Sequence, residues 1–277
     1  MLVHAYAKIN LTLDIVGING NGYHLLDSVF QSVGLYDAVT LEKADGISVS
    51  CEGINGAENI AYTAAAEFFG KTGVSGGVNI KIEKGIPLLS GLGGGSADAA
   101  AVIVALDRMY KTNLSQDALL KTALACGADV PFCLSGGTAR VGGIGEKITP
   151  LSPIEGLWAV IVQAGKKEST SLMYKKLDGA PLSPPVTDDF LRALHENADT
   201  AFKKAGNAFG AVAANAGIIE LLGSHRPMGV SLSGSGPSHF AVFRDKREAN
   251  LAAKDLERKG FSPYAVPFVN RGNRIIE

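Results

Sequence analysis

The chain has 277 residues, enough for one large or two ordinary domains with a sizeable core. Hydrophobic residues make up 46% and charged residues 19%, which excludes a disordered chain, and the three cysteines, Cys51, Cys126 and Cys133, form no CxxC pair and read as reduced thiols. Lys plus Arg number 26 against 27 Asp plus Glu, a formal net charge of -1 that argues against broad binding to nucleic acid or anionic membranes while allowing a local basic pocket.

Met1 to Lys8 has no basic region followed by an apolar stretch, so no signal peptide is expected. No run approaches about 18 apolar residues, so no membrane span is expected, and the chain reads as cytoplasmic. From Ala7 to Val16, Ile9, Leu11, Leu13 and Ile15 alternate with Lys8, Asn10, Thr12 and Asp14, which predicts a strand with one buried face. Lys8 and Asn10 share the other face, which on pattern alone meets water. Asn19-Gly20-Asn21-Gly22 is a turn. Tyr23 and His24 follow it: a ring that can stack on a base beside an imidazole that can bond its edge, or a half-buried tyrosine and a surface histidine.

Asp37 to Val49 reads as a strand pair, Asn59 to Gly70 as a helix, and Gly73 to Gly77 as a glycine turn. Val78 to Ile82 alternates as a strand and delivers the chain to Lys84, placed either along a bound nucleotide or at a solvated strand end.

Pro87-Leu88-Leu89-Ser90-Gly91-Leu92-Gly93-Gly94-Gly95-Ser96-Ala97-Asp98-Ala99-Ala100 then joins a glycine loop to an apolar run that extends to Tyr110 without Gly or Pro. That run predicts a helix from Ala97, with Ser96 as its N-cap and Asp98 in the first turn. A glycine loop entering a helix N-terminus offers unpaired N–H groups to an anion, the recipe for a phosphate cradle. It is not a P-loop, since no lysine lies between Pro87 and Arg108, and the dinucleotide fingerprint fails where its third glycine would be Ser96. A plain glycine turn before a buried helix is the competing reading.

Ser115 to Cys126 reads as a helix with Ser115 as cap and Gly127 as stop. Asp129, between that stop and Pro131, sits where a turn-former or cap is the ordinary reading. Gly136-Gly137 and Gly142 to Glu146 suggest a hairpin, and Pro150 to Gly156 a domain boundary. A buried strand at Leu157 to Val162 is followed by a Ser169-Thr170 cap on a helix carrying Tyr174, and then a loop from 181 to 185. Helices are expected at Asp188 to Glu196 and Ala208 to Leu222. A strand from Met228 enters the glycine turn Ser233 to Ser238, His239 to Phe243 returns, and a helix (Arg247 to Lys259) and a strand (Tyr264 to Phe268) close the chain. This order predicts an open antiparallel sheet with helices on one face.

Pro-x-x-x-Gly-Leu-Gly-Gly-Gly-Ser-x-Asp-Ala-Ala resembles the ATP-binding motif of the GHMP kinases, the superfamily of galactokinase, homoserine kinase and mevalonate kinase. Three other blocks match in order and spacing: Ala7-Lys8-Ile9-Asn10-Leu11 with Gly22-Tyr23-His24, Gly127-Ala128-Asp129-Val130-Pro131-Phe132, and Leu232-Ser233-Gly234-Ser235-Gly236-Pro237-Ser238. The resemblance implies an α+β, two-domain fold: an N-terminal α/β domain like domain 2 of ribosomal protein S5 over 1–152, and a C-terminal ferredoxin-like domain over 153–277. The site would lie in the cleft between them.

It further implies ATP-dependent phosphorylation of the 2-hydroxyl of a small molecule, a cytidine diphosphate-linked methylerythritol. Lys8 and Asp129 would be catalytic, Asp129 as general base. Pro87, Leu88, Leu89, Ser90, Gly91, Leu92, Gly93, Gly94, Gly95, Ser96 and Ala97, with Asn59 and Lys84, would hold ATP. Ser96 or a nearby acid would hold Mg2+. Asn10, Tyr23, His24, Phe30 and Tyr174 would meet the substrate, with Tyr23, His24 and Tyr174 around the cytosine; core packing is an equal reading for Phe30 and Tyr174. A monomer or weak homodimer is expected, with no nucleic-acid or membrane partner. A sibling kinase acting on mevalonate or homoserine would share the loop without needing Tyr23 and His24. A non-catalytic nucleotide-binding module would not need Lys8 with Asp129.

Overall fold

The computed structural model describes residues 1–165, 169–181 and 183–276, so Leu182 of the expected 181–185 loop and the chain's last residue lie outside the described residues. In chain order the first half comprises β1 (Leu2–Ile18), β2 (His24–Ala44), β3 (Ile47–Cys51), α1 (Ile60–Thr72), β4 (Gly77–Glu83), α2 (Gly94–Tyr110), α3 (Gln116–Cys126), α4 (Val130–Ser135), β5 (Thr138–Gly143) and β6 (Lys147–Pro150). The second half comprises β7 (Trp158–Gln163), α5 (Thr170–Asp178), α6 (Thr187–Glu196), α7 (Ala198–Phe202), β8 (Gly206–Asn207), α8 (Gly210–Ala213), α9 (Ala216–Gly223), β9 (Gly229–Leu232), β10 (Ser238–Phe243), α10 (Lys246–Arg258), β11 (Tyr264–Pro267) and β12 (Asn273–Ile275).

Among the described residues the strands form two sheets. The larger has eight strands, ordered β12-β1-β2-β4-β3, with β5 and β6 continuing from β2 and β8 beside β1. β2 and β3 do not form the expected pair. β4 enters between them, antiparallel to β2 and parallel to β3. Its alternate residues Val78, Ile80 and Ile82 are buried, which suits a central strand. Gly77 permits the insertion, because a Cβ there would stand 2.3 Å from the Gly46 carbonyl oxygen.

α2 is the central helix, in contact with α1, α3, α4, β1 and β2. Ala97, Ala99, Ala100, Ala101 and Ala105 are fully buried, and their small side chains let neighbours approach from several sides. The helix begins at Gly94, three residues before the expected start, and Gly93, not Ser96, is its N-cap. Gly93 adopts φ 72, a left-handed conformation open to glycine at little cost, and its carbonyl accepts the Ala97 N–H at 2.9 Å. Ser96 and Asp98 therefore lie farther along the helix than expected. α3 and α5 begin as expected on Ser115 and Ser169, each accepting a backbone N–H three residues on.

The smaller sheet is antiparallel throughout, ordered β11-β7-β10-β9, and the chain runs β-α-β-β-α-β through it, a ferredoxin-like arrangement. The period-two rule divides its faces. Val160, Val162, Ala241 and Phe243 pack under α9 and α10, while Ala159, Ile161, Phe240 and Val242 join the main core with Phe190 and Phe202. The helix expected over Ala208 to Leu222 is instead α8 and α9. The Asn215 side chain caps α9 by accepting the Ile218 N–H, and the backbone bends there. Two short elements from the second half, β8 and β12, return to pair with β1. The architecture is α+β, and no helix among the described residues is long and apolar enough to cross a membrane.

Candidate active site

Residues 87–93 run between β4 and α2 as a loop pinned at several points. The Lys8 N–H donates to the Leu92 carbonyl at 2.9 Å, which ties the loop to β1. The Ser233 hydroxyl donates to the Gly91 carbonyl at 3.0 Å, and the Ser238 N–H to that of Ser90 at 3.3 Å. Gly91 has φ 80, and a Cβ there would lie 2.5 Å from the Ser233 carbonyl oxygen. The two glycine-rich turns thus meet backbone to backbone, which only glycine permits. Gly94, Gly95 and Ser96 open α2 into the adjoining cleft, so its first N–H groups and helix dipole face an incoming anion.

Lys8 is buried beneath this loop. A Cβ on Gly93 would stand 3.0 Å from Lys8 Cγ, so the glycine makes room for the lysine stem. Lys8 Nζ donates to Asn10 Oδ1 at 2.9 Å, lies 3.4 Å from Asp129 Oδ2, and sits 4.5 Å from the centroid of the Phe30 ring. Asp129 occupies the N-cap position of α4, but its side chain makes no capping bond. Its carboxylate turns to the lysine and keeps a third of its surface exposed to the cleft. Asn10 Oδ1 also accepts the Gly234 N–H at 2.8 Å, and its Nδ2 donates to Ser28 Oγ at 3.2 Å. The polar face of β1 is therefore buried, contrary to the plain reading of its alternation.

The cleft has a volume of about 1170 Å³ and touches every expected site residue except two. Leu92 and Ala97 are the corrections: both are fully buried in the core behind the loop, Leu92 as its anchor and Ala97 on the inner face of α2. Toward one end, His24 Nε2 lies 2.6 Å from Asp178 Oδ1, and its ring stacks on Tyr174 at 4.6 Å and 25°. Tyr174 meets Phe209 edge-on at 4.9 Å, and burial, with the Asp129 charge second, pushes its hydroxyl up to about 12. Tyr23 is 63% exposed and makes no ring contact among the described residues, so Tyr174 faces His24 rather than Tyr23.

Elsewhere in the cleft, Asn59 caps α1: Oδ1 accepts the Ala61 N–H at 2.9 Å and Nδ2 donates to the Ile54 carbonyl at 2.8 Å. Lys84 is not at a solvated strand end. Its ammonium donates to Asp37 Oδ2 at 2.5 Å and Asp98 Oδ2 at 2.8 Å. Burial works against that charge, but the two carboxylates outweigh it and leave the lysine above its ordinary value. Burial first, then the Asp37 charge, raises Asp98 well above the usual carboxylate range, and Asp98 Oδ1 has no partner. Asp98 thus serves Lys84 rather than the helix dipole. Asp37, Asp178 and Ser28 were not legible as site residues, because their partners lie far away in sequence.

Comparison with known proteins gives the family. The GHMP kinases N terminal domain matches residues 59–137, and the GHMP kinases C terminal domain matches residues 185–262. The 4-diphosphocytidyl-2-C-methyl-D-erythritol kinase of Carboxydothermus hydrogenoformans is 42% identical over 281 residues, covering 96% of this chain and 97% of its own. That of Caldicellulosiruptor saccharolyticus is 38% identical, covering 93% of each chain. A crystal structure of 4-(cytidine 5'-diphospho)-2C-methyl-D-erythritol kinase superposes with a TM-score of 0.81 at 31% identity, over 97% of this chain and 99% of that one. With both domains matched and relatives aligned over more than nine-tenths of the chain, the chain belongs to the GHMP kinases, in the family of the 4-diphosphocytidyl-2-C-methyl-D-erythritol kinases.

Proposed function

We infer that this protein transfers the γ-phosphoryl group of ATP to the 2-hydroxyl of 4-diphosphocytidyl-2-C-methyl-D-erythritol, giving the 2-phosphate and ADP, a step in making isoprenoid precursors. The observation that carries this reading is the 3.4 Å approach of Lys8 Nζ to Asp129 Oδ2 in a cleft also lined by the glycine loop. Phosphoryl transfer needs a phosphate cradle, a positioned hydroxyl and relief of negative charge on the moving group. The first N–H groups of α2, at Gly94, Gly95 and Ser96, supply the cradle. Asp129 accepts the proton of the attacking hydroxyl, and Lys8, 3.4 Å from it, offsets negative charge at the transferred group.

Asn10 holds Lys8 in place, and Phe30 shields its ammonium from below. Tyr23, His24 and Tyr174 receive the cytosine; Asn59 and Lys84 flank the nucleotide. Residues 1–152 and 153–277 act as the two domains, fastened by β8 and β12. Mg2+ fits the donor set: the Ser96 hydroxyl lines the cleft and is a hard oxygen ligand. Among the described residues no cluster of three or more His, Cys, Asp or Glu stands ready for a metal, so Ser96 would hold the ion together with oxygens of the nucleotide phosphates and water. Bound there, Mg2+ neutralises phosphate charge. The test offers purified protein ATP with the cytidine substrate, mevalonate or homoserine and follows ADP release and the phosphorus spectrum of the product. Turnover with the cytidine substrate alone supports the reading; turnover only with a plain alcohol overturns it.

A further inference from the structure

Asp178 is the last residue of α5, and Gly179 follows as its C-cap. An acid at a helix C-terminus opposes the helix dipole, so what favours it here is its partner. That partner is His24, 154 residues away at the start of β2, with Nε2 at 2.6 Å from Asp178 Oδ1. The pair adds little to stability, since the Asp178 side chain is 51% exposed. Both residues line the cleft, and the histidine ring is stacked on Tyr174.

We propose that Asp178 is a specificity-determining positioning residue: it fixes the tautomer of His24 so that the ring reads cytosine and rejects uracil. An ionised carboxylate only accepts hydrogen bonds, so the contact places the ring proton on Nε2. In the neutral imidazole this leaves Nδ1 as an acceptor, and among the described residues Nδ1 has no hydrogen-bond partner. Cytosine offers an exocyclic amino group, a donor, where uracil carries an oxygen. A lone pair at Nδ1 matches the first and repels the second. The other tautomer would reverse the preference, and Asp178 excludes it. The inference rests on the cytidine-substrate reading and adds a residue that acts on base choice through another.

The test compares wild type with Asp178→Ala, Asp178→Asn and Asp178→Glu on the cytidine substrate and its uridine counterpart. Asp178→Ala raises KM for the cytidine substrate about tenfold, as for one charge-assisted hydrogen bond, and leaves kcat and the KM for ATP within about twofold. Its cytidine-over-uridine preference falls by about the same factor. Nitrogen-15 spectra of the His24 ring show one tautomer in wild type and a mixture in Asp178→Ala. Asp178→Glu restores much of the preference, and Asp178→Asn, of equal size but uncharged, does not; it also serves where the alanine variant fails to fold. Unchanged preference together with an unchanged ring spectrum in the alanine and asparagine variants overturns the proposal. A wild-type protein inactive on the cytidine substrate removes the reading of the reaction instead, and the ring spectrum still decides whether Asp178 sets the tautomer.

Discussion

Asn10 holds the backbone N–H of Gly234, 224 residues later, at 2.8 Å, through the same oxygen that accepts from Lys8 at 2.9 Å. One amide therefore fixes the ammonium and latches the second glycine turn onto the first strand. Asn10→Ala is expected to lower kcat by one to two orders of magnitude, since buried groups left unpaired cost about 1–3 kcal/mol each. Melting should fall by several degrees in the same variant, because about 1 kcal/mol is worth about 2–4 °C in a chain of this size. Calorimetry and steady-state kinetics together check this, and a kcat within twofold of wild type counts against it.

The 3.4 Å pair of Lys8 and Asp129 separates chemistry from binding. Asp129→Asn keeps the shape and removes the base, so kcat is expected to drop about 10²–10⁴-fold. Lys8→Met retains much of the stem packing against Phe30 and loses the charge, with a loss of comparable size. Titration calorimetry with ATP should show nucleotide affinity within about threefold of wild type in Asp129→Asn. Near-normal turnover in either variant would remove the assigned roles.

Much of this arrangement was legible in the chain because its signals are local. The alternation around Lys8 gave a strand, Ser115 and Gly127 bounded α3, and the order of the glycine-rich blocks identified the family. Where the reading failed, the deciding partner was remote. Ser96 has the chemistry of a cap, but Gly93 takes the position because its φ of 72 and the room it leaves for Lys8 start the helix sooner. Lys84 looked like a strand end because Asp37, 47 residues earlier, carries no local mark of its role. Nor does a pattern of period two reveal that β4 will enter between β2 and β3, because alternation marks a strand and its buried face but not its neighbours.

Gly93→Ala and Leu89→Gly test the loop in opposite senses. The first places a Cβ at φ 72 and 3.0 Å from Lys8 Cγ, so both the backbone and the lysine must shift. The backbone conformation alone costs about 1–2 kcal/mol, and turnover should fall at least tenfold because Lys8 moves. Leu89 already sits at φ 52 with its side chain 67% exposed. Glycine there relieves that strain and gives back part of the gain as unfolded-state entropy, for a net stabilisation of about 0–1 kcal/mol. Chemical denaturation of the two variants should therefore move midpoints in opposite directions, and a shift in the same direction contradicts the loop geometry.

Asp98 makes a stability prediction with a definite sign. Its carboxyl is held above the ordinary range by burial first and by Asp37 second. The folded chain thus retains a proton at Asp98 that the unfolded chain releases near pH 3.9. Between that value and the raised one the native state binds more protons, so this group's share of stability is fully present at lower pH and declines as pH rises through the window. Asp98→Asn mimics the protonated acid and removes the dependence. Relative to wild type, its melting temperature should gain as pH rises above about 4, the ordinary carboxylate value. Lys84→Met makes the opposite change, leaving two buried carboxyl groups without their cation, and is expected to cost about 3–5 kcal/mol at pH 7. Melting curves of wild type and Asp98→Asn that run parallel across that range would mean that Asp98 is ionised in the fold, with Lys84 alone compensating both acids.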